Sequence, residues 1–404
     1  MPTGSGKSIV IAEIAKTLNQ PVLILQPTKE ILEQNIAKIL SFGVTATIYS
    51  ASFNQRNISK ITYATIGSII RKKELFKDFK YIIVDECHFT NAKGGMYQEF
   101  LTYLGVKILG LTATPYRLTT DGYGGSILKF LTRTRPRIFK DVIYYVQNKT
   151  LFDQGYLSKL EYINISGFDV SKIKLNSTGA DFDDDSLKAY FNIINHTSRI
   201  IKVVNDIKNK RNCLLVFTRF TEEAQNIVNC VDSSEIITAK TPKKERKSII
   251  DNFRNGNIKV ICNVGILQTG FDYPELDTII IARPTLSLAL YYQMCGRGMR
   301  PHPNKQYSLI VDLCDNFTKF GKIENLQFHE NNKLYFISDG TNQLTNVYYG
   351  GNKPVLNNYT MPFGKYKGKL LTKIPKDYLQ WLLENTNLNK SLKTQVEEAF
   401  KNSP

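Results

Sequence analysis

Short apolar runs that recur between stretches of helical period constrain this chain more than any other feature. They lie at 22–25, 81–84 and 106–111 in the first half, and at 213–217, 260–263, 278–282 and 309–313 in the second. Unbroken Val/Ile/Leu runs of that length bury both faces, as parallel strands do when helices cover the sheet on either side. Segment 8–18 places Ile11, Ile14, Ala15 and Leu18 on one helical face. The alternation stops near Arg117 and restarts near 196. It therefore predicts an α/β chain with two tandem parallel-sheet lobes, at 1–160 and 196–327, joined by a linker or insertion at 161–195. A polar connector at 328–358 and a small basic module at 359–404 follow.

With 404 residues, 42% of them hydrophobic, the chain has material for more than one core. Its 53 Lys plus Arg against 36 Asp plus Glu give a net charge of +17. That excess favours a polyanionic partner, nucleic acid first, because phosphate contacts release condensed counterions; basic solvated faces are the alternative. Apolar runs are too short to cross a bilayer, so a cytoplasmic protein without a membrane partner is expected. Six cysteines without a C-x-x-C pair and four scattered histidines predict reduced core thiols and no structural zinc. A basic stretch (Lys129, Arg133, Arg135, Arg137, Lys140) and an acidic one (Asp181, Asp183, Asp184, Asp185) stand in the middle segment. The acidic run has no fixed ligand spacing and reads as a solvated loop rather than a cation site.

The chemistry-bearing residues are grouped. Pro2, Thr3, Gly4, Ser5, Gly6, Lys7 and Ser8 run straight into the first helix, the form of a phosphate-binding loop. There, backbone N–H groups cradle a triphosphate, Lys7 neutralises its outer oxygens and Ser8 ligates Mg²⁺; a Gly/Ser turn capping a helix is the plainer reading. The run at 81–84 ends in Asp85 and Glu86, followed by Cys87 and His88. One carboxylate suits Mg²⁺ and the other the attacking water, although adjacent acids also simply form turns. Thr112 and Thr114 follow another strand, with hydroxyls placed to couple the nucleotide site to an interlobe cleft. Gln293, Arg297 and Arg300 lie in one short segment. Two guanidinium groups offered from an opposite lobe stabilise charge on a transferring phosphoryl group, or contact a polyanion.

Together these motifs resemble the DExH-type superfamily-two helicases over roughly 1–327. Pro2 to Ser8 look like motif I, Asp85 to His88 motif II, Thr112 to Thr114 motif III, and Gln293 to Arg300 motif VI. Pro27, Thr28, Lys29 and Glu30 are similar to motif Ia, 65–68 to Ib, Phe217, Thr218 and Arg219 to IV, and Thr269, Gly270, Phe271 and Asp272 to V. The runs at 110–117, 155–157, 269–301 and 312–316 look closer still to the RadD branch of bacterial and phage DNA-repair helicases. That branch's cysteine-rich zinc tail is missing, and 361–385 instead resembles the small C-terminal module of exonuclease X-like proteins.

The resemblance implies two RecA-like lobes that use ATP and Mg²⁺ to move along DNA, single-stranded or branched, in repair, recombination or replication. Lys7, Asp85, Glu86, Gln293, Arg297 and Arg300 would carry catalysis. Thr3 to Ser8, Gly270 and Asp272 would bind nucleotide, with Ser8 and Asp85 at the metal. Thr28, Lys29, Ser68, Thr218, Arg219 and Thr269 would grip the phosphate backbone. It implies, too, a bacterial cell or a phage-infected host cytoplasm. Such helicases carry a strand and a glutamine motif before motif I. Neither is found here, so this sequence is expected to bind ATP weakly. RNA helicase, restriction-type duplex translocase and nonhydrolysing clamp are the rival readings.

Overall fold

The computed structural model describes residues 1–120, 126–165, 167–177, 179, 181–267, 271, 273–331, 333–349, 361–386, 388 and 390–402. The first apolar runs become β1 (Val22–Gln26), β5 (Tyr81–Asp85) and β6 (Lys107–Leu111). They share a sheet with β2 (Thr47–Ser50), β3 (Gln55–Arg56) and β4 (Ile61–Thr65), in the order β3-β2-β4-β1-β5-β6. All pairings are parallel except that of β2 with β3.

Successive residues of a strand point to opposite faces. Val22, Ile24 and Ile83 accordingly meet the helices Lys7–Thr17 and Lys29–Ser41 through Ile11, Ala15, Leu32 and Ile36. Leu23, Leu25, Ile82 and Val84 pack on the other face against Phe76, Phe100 and Leu101. The sheet ends on β6. Beyond it lies a cavity of about 1040 Å³ lined by Val10, Ile14, Leu109, Phe139 and Tyr145.

A hairpin of β7 (Tyr116–Thr120) and β8 (Ser126–Phe130) leads out of the first lobe. The second sheet contains β9 (Lys159–Asn164), β10 (Leu214–Phe217), β11 (Ser234–Ile237), β12 (Val260–Asn263), β13 (Thr278–Ile281) and β14 (Tyr307–Asp312). Its order is β11-β12-β10-β13-β14-β9, parallel throughout.

Part of the stretch expected as a linker thus supplies an edge strand. Helices Asp184–Ile193 and His196–Lys208 also pack on this lobe, through Leu187, Phe191, Ile200 and Val204. The physical reason is plain in β9. An edge strand has a wet face, so Leu160 and Tyr162 alternate with exposed Glu161 and Ile163 in place of an unbroken apolar run.

The expected polar connector contains an antiparallel pair, β15 (Gln327–Asn331) and β16 (Leu334–Ser338), and then β17 (Tyr348–Tyr349), which pairs with β8. Phe328 and Tyr335 each place a ring 5.9 Å from that of Phe130, which ties the segment to the hairpin. The C-terminal helices Lys376–Asn385 and Lys390–Asn402 have a core of their own, from Met361, Leu371, Leu379, Leu382, Val396 and Ala399. All six cysteines are free thiols, and Cys230 is the exposed one.

Candidate active site

The loop before the first helix turns through two left-handed glycines, Gly4 at φ 80° and Gly6 at φ 83°, a region that glycine enters without steric cost. Ser5 closes the loop by donating to the Pro2 carbonyl from its N–H at 3.3 Å and its hydroxyl at 2.7 Å. Lys7 folds back into the same curve: its Nζ donates to the Pro2 carbonyl at 3.2 Å and stands 3.9 Å from Glu86 Oε1. The N–H groups of a first helical turn lack intrahelical partners, so the loop and the Lys7–Thr17 helix end form an anion-binding concavity.

β5 delivers the acidic pair to this concavity. Asp85 is 5% exposed. Its Oδ2 accepts from Asn35 Nδ2 at 2.8 Å and its Oδ1 from the Glu86 N–H at 2.9 Å. Burial, then the neighbouring Glu86 charge, pushes the Asp85 carboxyl above the usual carboxylate range. Glu86 adopts a left-handed backbone, φ 46° and ψ 49°, which is uncommon for a residue with a side chain and clusters at functional sites. Burial alone would raise its carboxyl too. The charge of Lys7, the bond from His88 and the charge of Arg297 outweigh burial and hold it ionised.

His88 bridges the two lobes. Its Nδ1 lies 2.8 Å from Thr112 Oγ1 and 3.3 Å from Glu86 Oε2, and its Nε2 lies 3.0 Å from Gln293 Nε2. An amide nitrogen only donates, so in this network Nε2 accepts from Gln293 and Nδ1 carries the hydrogen toward Thr112 and Glu86. Thr112 Oγ1 accepts in turn from the Thr114 N–H at 2.9 Å.

Gln293 comes from the helix Leu288–Gly296, whose C-terminal end meets the glycine loop at Thr3. The Thr3 N–H donates to Tyr292 Oη at 3.4 Å, and a Cβ on Gly296 would lie 3.4 Å from the Thr3 side chain. Glycine there permits the approach. Arg297 follows directly, anchored to the Phe271 carbonyl at 2.7 Å and the Gln293 carbonyl at 3.3 Å. Arg300 is placed beside Lys305, on whose ammonium its charge acts.

The residues expected to grip a phosphate backbone sit elsewhere, each in a local network. Thr28 caps the Lys29–Ser41 helix by accepting from the Ile31 N–H at 3.3 Å, and Lys29 lies over the Phe53 ring. Ser68 Oγ accepts from the Ala51 N–H at 2.9 Å. Thr218 is fully buried, with its hydroxyl 3.5 Å from the Asn263 carbonyl. Arg219 pairs with Asp181 at 2.7 Å and Asp184 at 2.9 Å. The acidic run is therefore not merely solvated: two members hold Arg219, and Asp183 caps a helix by accepting from the Ser186 N–H. Thr269, Gly270 and Asp272 lie outside the described residues.

Sequence reasoning passed over two participants. His88 stands in the quoted motif, and its bridging role needed only the recognition that it follows the acidic pair on the same turn. Asn35 reaches Asp85 from 50 residues upstream and leaves no local signal.

The residues present fit Mg²⁺. Among the described residues no group of three or more His, Cys, Asp or Glu side chains is placed to hold a metal. Mg²⁺ takes most of its ligands from phosphates and water and needs only one or two from protein. Asp85, a buried carboxyl destabilised in its charged form by Glu86, gains from a neighbouring cation. With Ser8 it is the pair that would hold the ion.

Comparison with known proteins gives two matches to the lobes. Residues 1–117 match the family model "Type III restriction enzyme, res subunit", and residues 195–302 match "Helicase conserved C-terminal domain". Residues 354–397 match a third model, "Putative quorum-sensing-regulated virulence factor". A 51.5 kDa protein of a Lactococcus phage (isolate 7-9) is 29% identical over 335 residues, which cover 79% of this chain and 66% of that protein. The DNA 3'-5' translocase XPB2 of Sulfurisphaera tokodaii is 24% identical over 348 residues, 78% of this chain and 76% of that protein. The chain spans 47–66% of the length of the first three curated relatives it matches. Among solved structures, the ATP-dependent Type ISP restriction-modification enzyme LlaBIII bound to DNA shares the fold. Its TM-score is 0.56 at 20% identity, covering 77% of this chain and 26% of that one. Residues 1–117 and 195–302 thus match two helicase-type domains in tandem, each on its own parallel sheet, the arrangement of the paired lobes of superfamily-two helicases.

Proposed function

We propose that the chain is an ATP-driven motor that moves on DNA. The observation that carries this reading is the meeting of two lobes at one anion-binding loop: Lys7, Glu86 and His88 from the first, Gln293 and Arg297 from the second. Lys7 neutralises the outer phosphates of ATP. Mg²⁺, when held by Ser8 and Asp85, supplies further charge neutralisation at the phosphate oxygens. Glu86, kept ionised by its cationic neighbours, accepts a hydrogen bond from the attacking water and aligns it. Arg297, brought by the opposite lobe, offsets the charge that spreads over the phosphoryl oxygens as the bond breaks. Arg300 joins it on tighter closure.

Because part of this set belongs to each lobe, hydrolysis is tied to lobe closure, and lobe motion is what displaces a bound strand. DNA is the favoured polymer. The RadD-like motif run and the net charge of +17 support it, as do the names of the archaeal DNA translocase and the DNA-bound restriction enzyme. Backbone contacts by Thr28, Lys29, Ser68, Arg219 and Thr269 carry no sequence information, so recognition is sequence-tolerant; Thr218, fully buried, supports them from behind. The match of 1–117 to a restriction subunit favours a second reading, duplex translocation without strand separation.

Phosphate release measured in parallel with single-stranded, duplex and forked DNA and with RNA tests these readings. DNA stimulation that falls by about 100-fold or more in Lys7→Ala and in Arg297→Ala is the expected result. Release unchanged by both substitutions overturns the motor. Stimulation by duplex with no unwinding of the fork selects the translocase.

A further inference from the structure

The basic stretch after the acidic pair has no part in the nucleotide site, yet the fold gathers it. Lys129 lies on β8, half-buried, directly opposite Arg117 on β7, so the two side chains leave the hairpin on the same face. Burial first, and then the charges of Lys93, Arg133 and Arg135, hold the Lys129 ammonium below its ordinary value. Lys93, Arg133 and Arg135 are exposed. Among the described residues no carboxylate forms an ion pair with Lys93, Lys129, Arg133 or Arg135. Cations held together without a counter-charge are costly unless a polyanion covers them.

The patch is also joined to the engine. Arg117 Nη1 donates to the Phe89 carbonyl at 2.9 Å, and Phe89 is the residue after His88. The Phe89 ring is 43% exposed and packs against the His88 ring with centroids 4.3 Å apart. Converging cations beside an exposed aromatic face are the surface that nucleic acid takes: phosphates on the charges, a base or sugar on the ring. An acidic peptide would use the charges but leave the ring idle.

We propose that Lys93, Arg117, Lys129, Arg133 and Arg135, with the rim ring of Phe89, form a nucleic-acid backbone site on the β7–β8 hairpin face, linked through the Phe89 carbonyl to the acidic-pair loop. The site deepens the motor reading and rests on it. A bound strand here bears on the turn that carries Glu86 and His88, so occupancy of the patch stimulates hydrolysis.

The test is titration of fluorescent mixed-sequence duplex and single-stranded DNA with the full chain, without nucleotide, over a series of salt concentrations. Lys129→Gln/Arg133→Gln is compared with Lys93→Gln/Arg133→Gln, whose positions are both exposed, and with a control pair, Lys243→Gln/Lys244→Gln, on the exposed start of another helix. Each patch double should weaken binding about tenfold or more and lower the log–log salt slope by about 2, one for each phosphate left unneutralised. The control should change binding by less than about twofold. DNA-stimulated phosphate release should require more DNA in the patch doubles while basal release stays at the wild-type rate. The arm that weakens more, duplex or single strand, names the form bound.

Patch doubles that bind as tightly as wild type overturn the site while leaving the motor standing. So does a chain whose patch binds polyglutamate and not DNA. Loss of the motor reading shows separately, as Lys7→Ala retaining full ATPase.

Discussion

Glu223 and His196 form a buried pair with no evident task in hydrolysis. They are 5% and 0% exposed and 3.9 Å apart, and among the described residues neither Glu223 oxygen nor His196 Nδ1 has a side-chain hydrogen-bond partner, the Arg219 backbone acting on the Glu223 carboxyl. Burial pushes the Glu223 carboxyl up to about 8 and the His196 imidazole down to about 4, so at neutral pH the pair is neutral and not an ion pair. The linkage signs differ. A carboxyl raised above its unfolded value contributes stability that is fully present below about pH 4.5 and is lost as pH rises through 8. The depressed imidazole acts oppositely: its contribution is present above about pH 6.5 and is lost as pH falls through 4. Glu223→Gln mimics the protonated carboxyl at every pH. It should therefore melt higher than wild type at pH 8.5, by an amount on the order of a few kcal/mol in unfolding free energy, with the gap closing toward pH 5. Calorimetric melting at both pH values checks this, and a gap that does not change with pH rules it out.

At the scale of elements, core strands and their helices were readable because burial on both faces demands unbroken aliphatic runs. Ile280 in β13 is an instance, fully buried and packed with Val216, Val260 and Val311. Ile280→Ala should cost about 2–5 kcal/mol in urea unfolding, with the slope unchanged. That the acidic pair and the loop at Lys7 come together was legible for a related reason, since both stand where a core element ends. What the sequence concealed lies where a single segment answers to two environments. β9 alternates because it is a wet edge, β15 is short and polar outside Phe328, and β16 is an apolar run of only five residues set in a polar stretch. Asn35 acts on Asp85 only once a helix is folded over the sheet. The acidic run at 181–185 looked idle because its partner, Arg219, stands in a different element.

For the whole molecule, the margin of the first sheet matters most. Among the described residues β6 has a strand neighbour on one side only, and its far side faces the 1040 Å³ cavity, beside which Ile143 and Tyr144 stand 80% and 66% exposed. Backbone donors and acceptors along such a rim seek partners, and the greasy strip beside them gives any visiting strand a place to settle. At high protein concentration and moderate salt the chain should therefore stick to itself, and light scattering should detect it. Ile143→Lys, placing a charge on that exposed strip, should lower the scattering with little effect on melting; equal scattering would mean that the margin is already quiet. A tendency to clump is thus written along that margin rather than in the basic face that keeps the rest of the molecule apart.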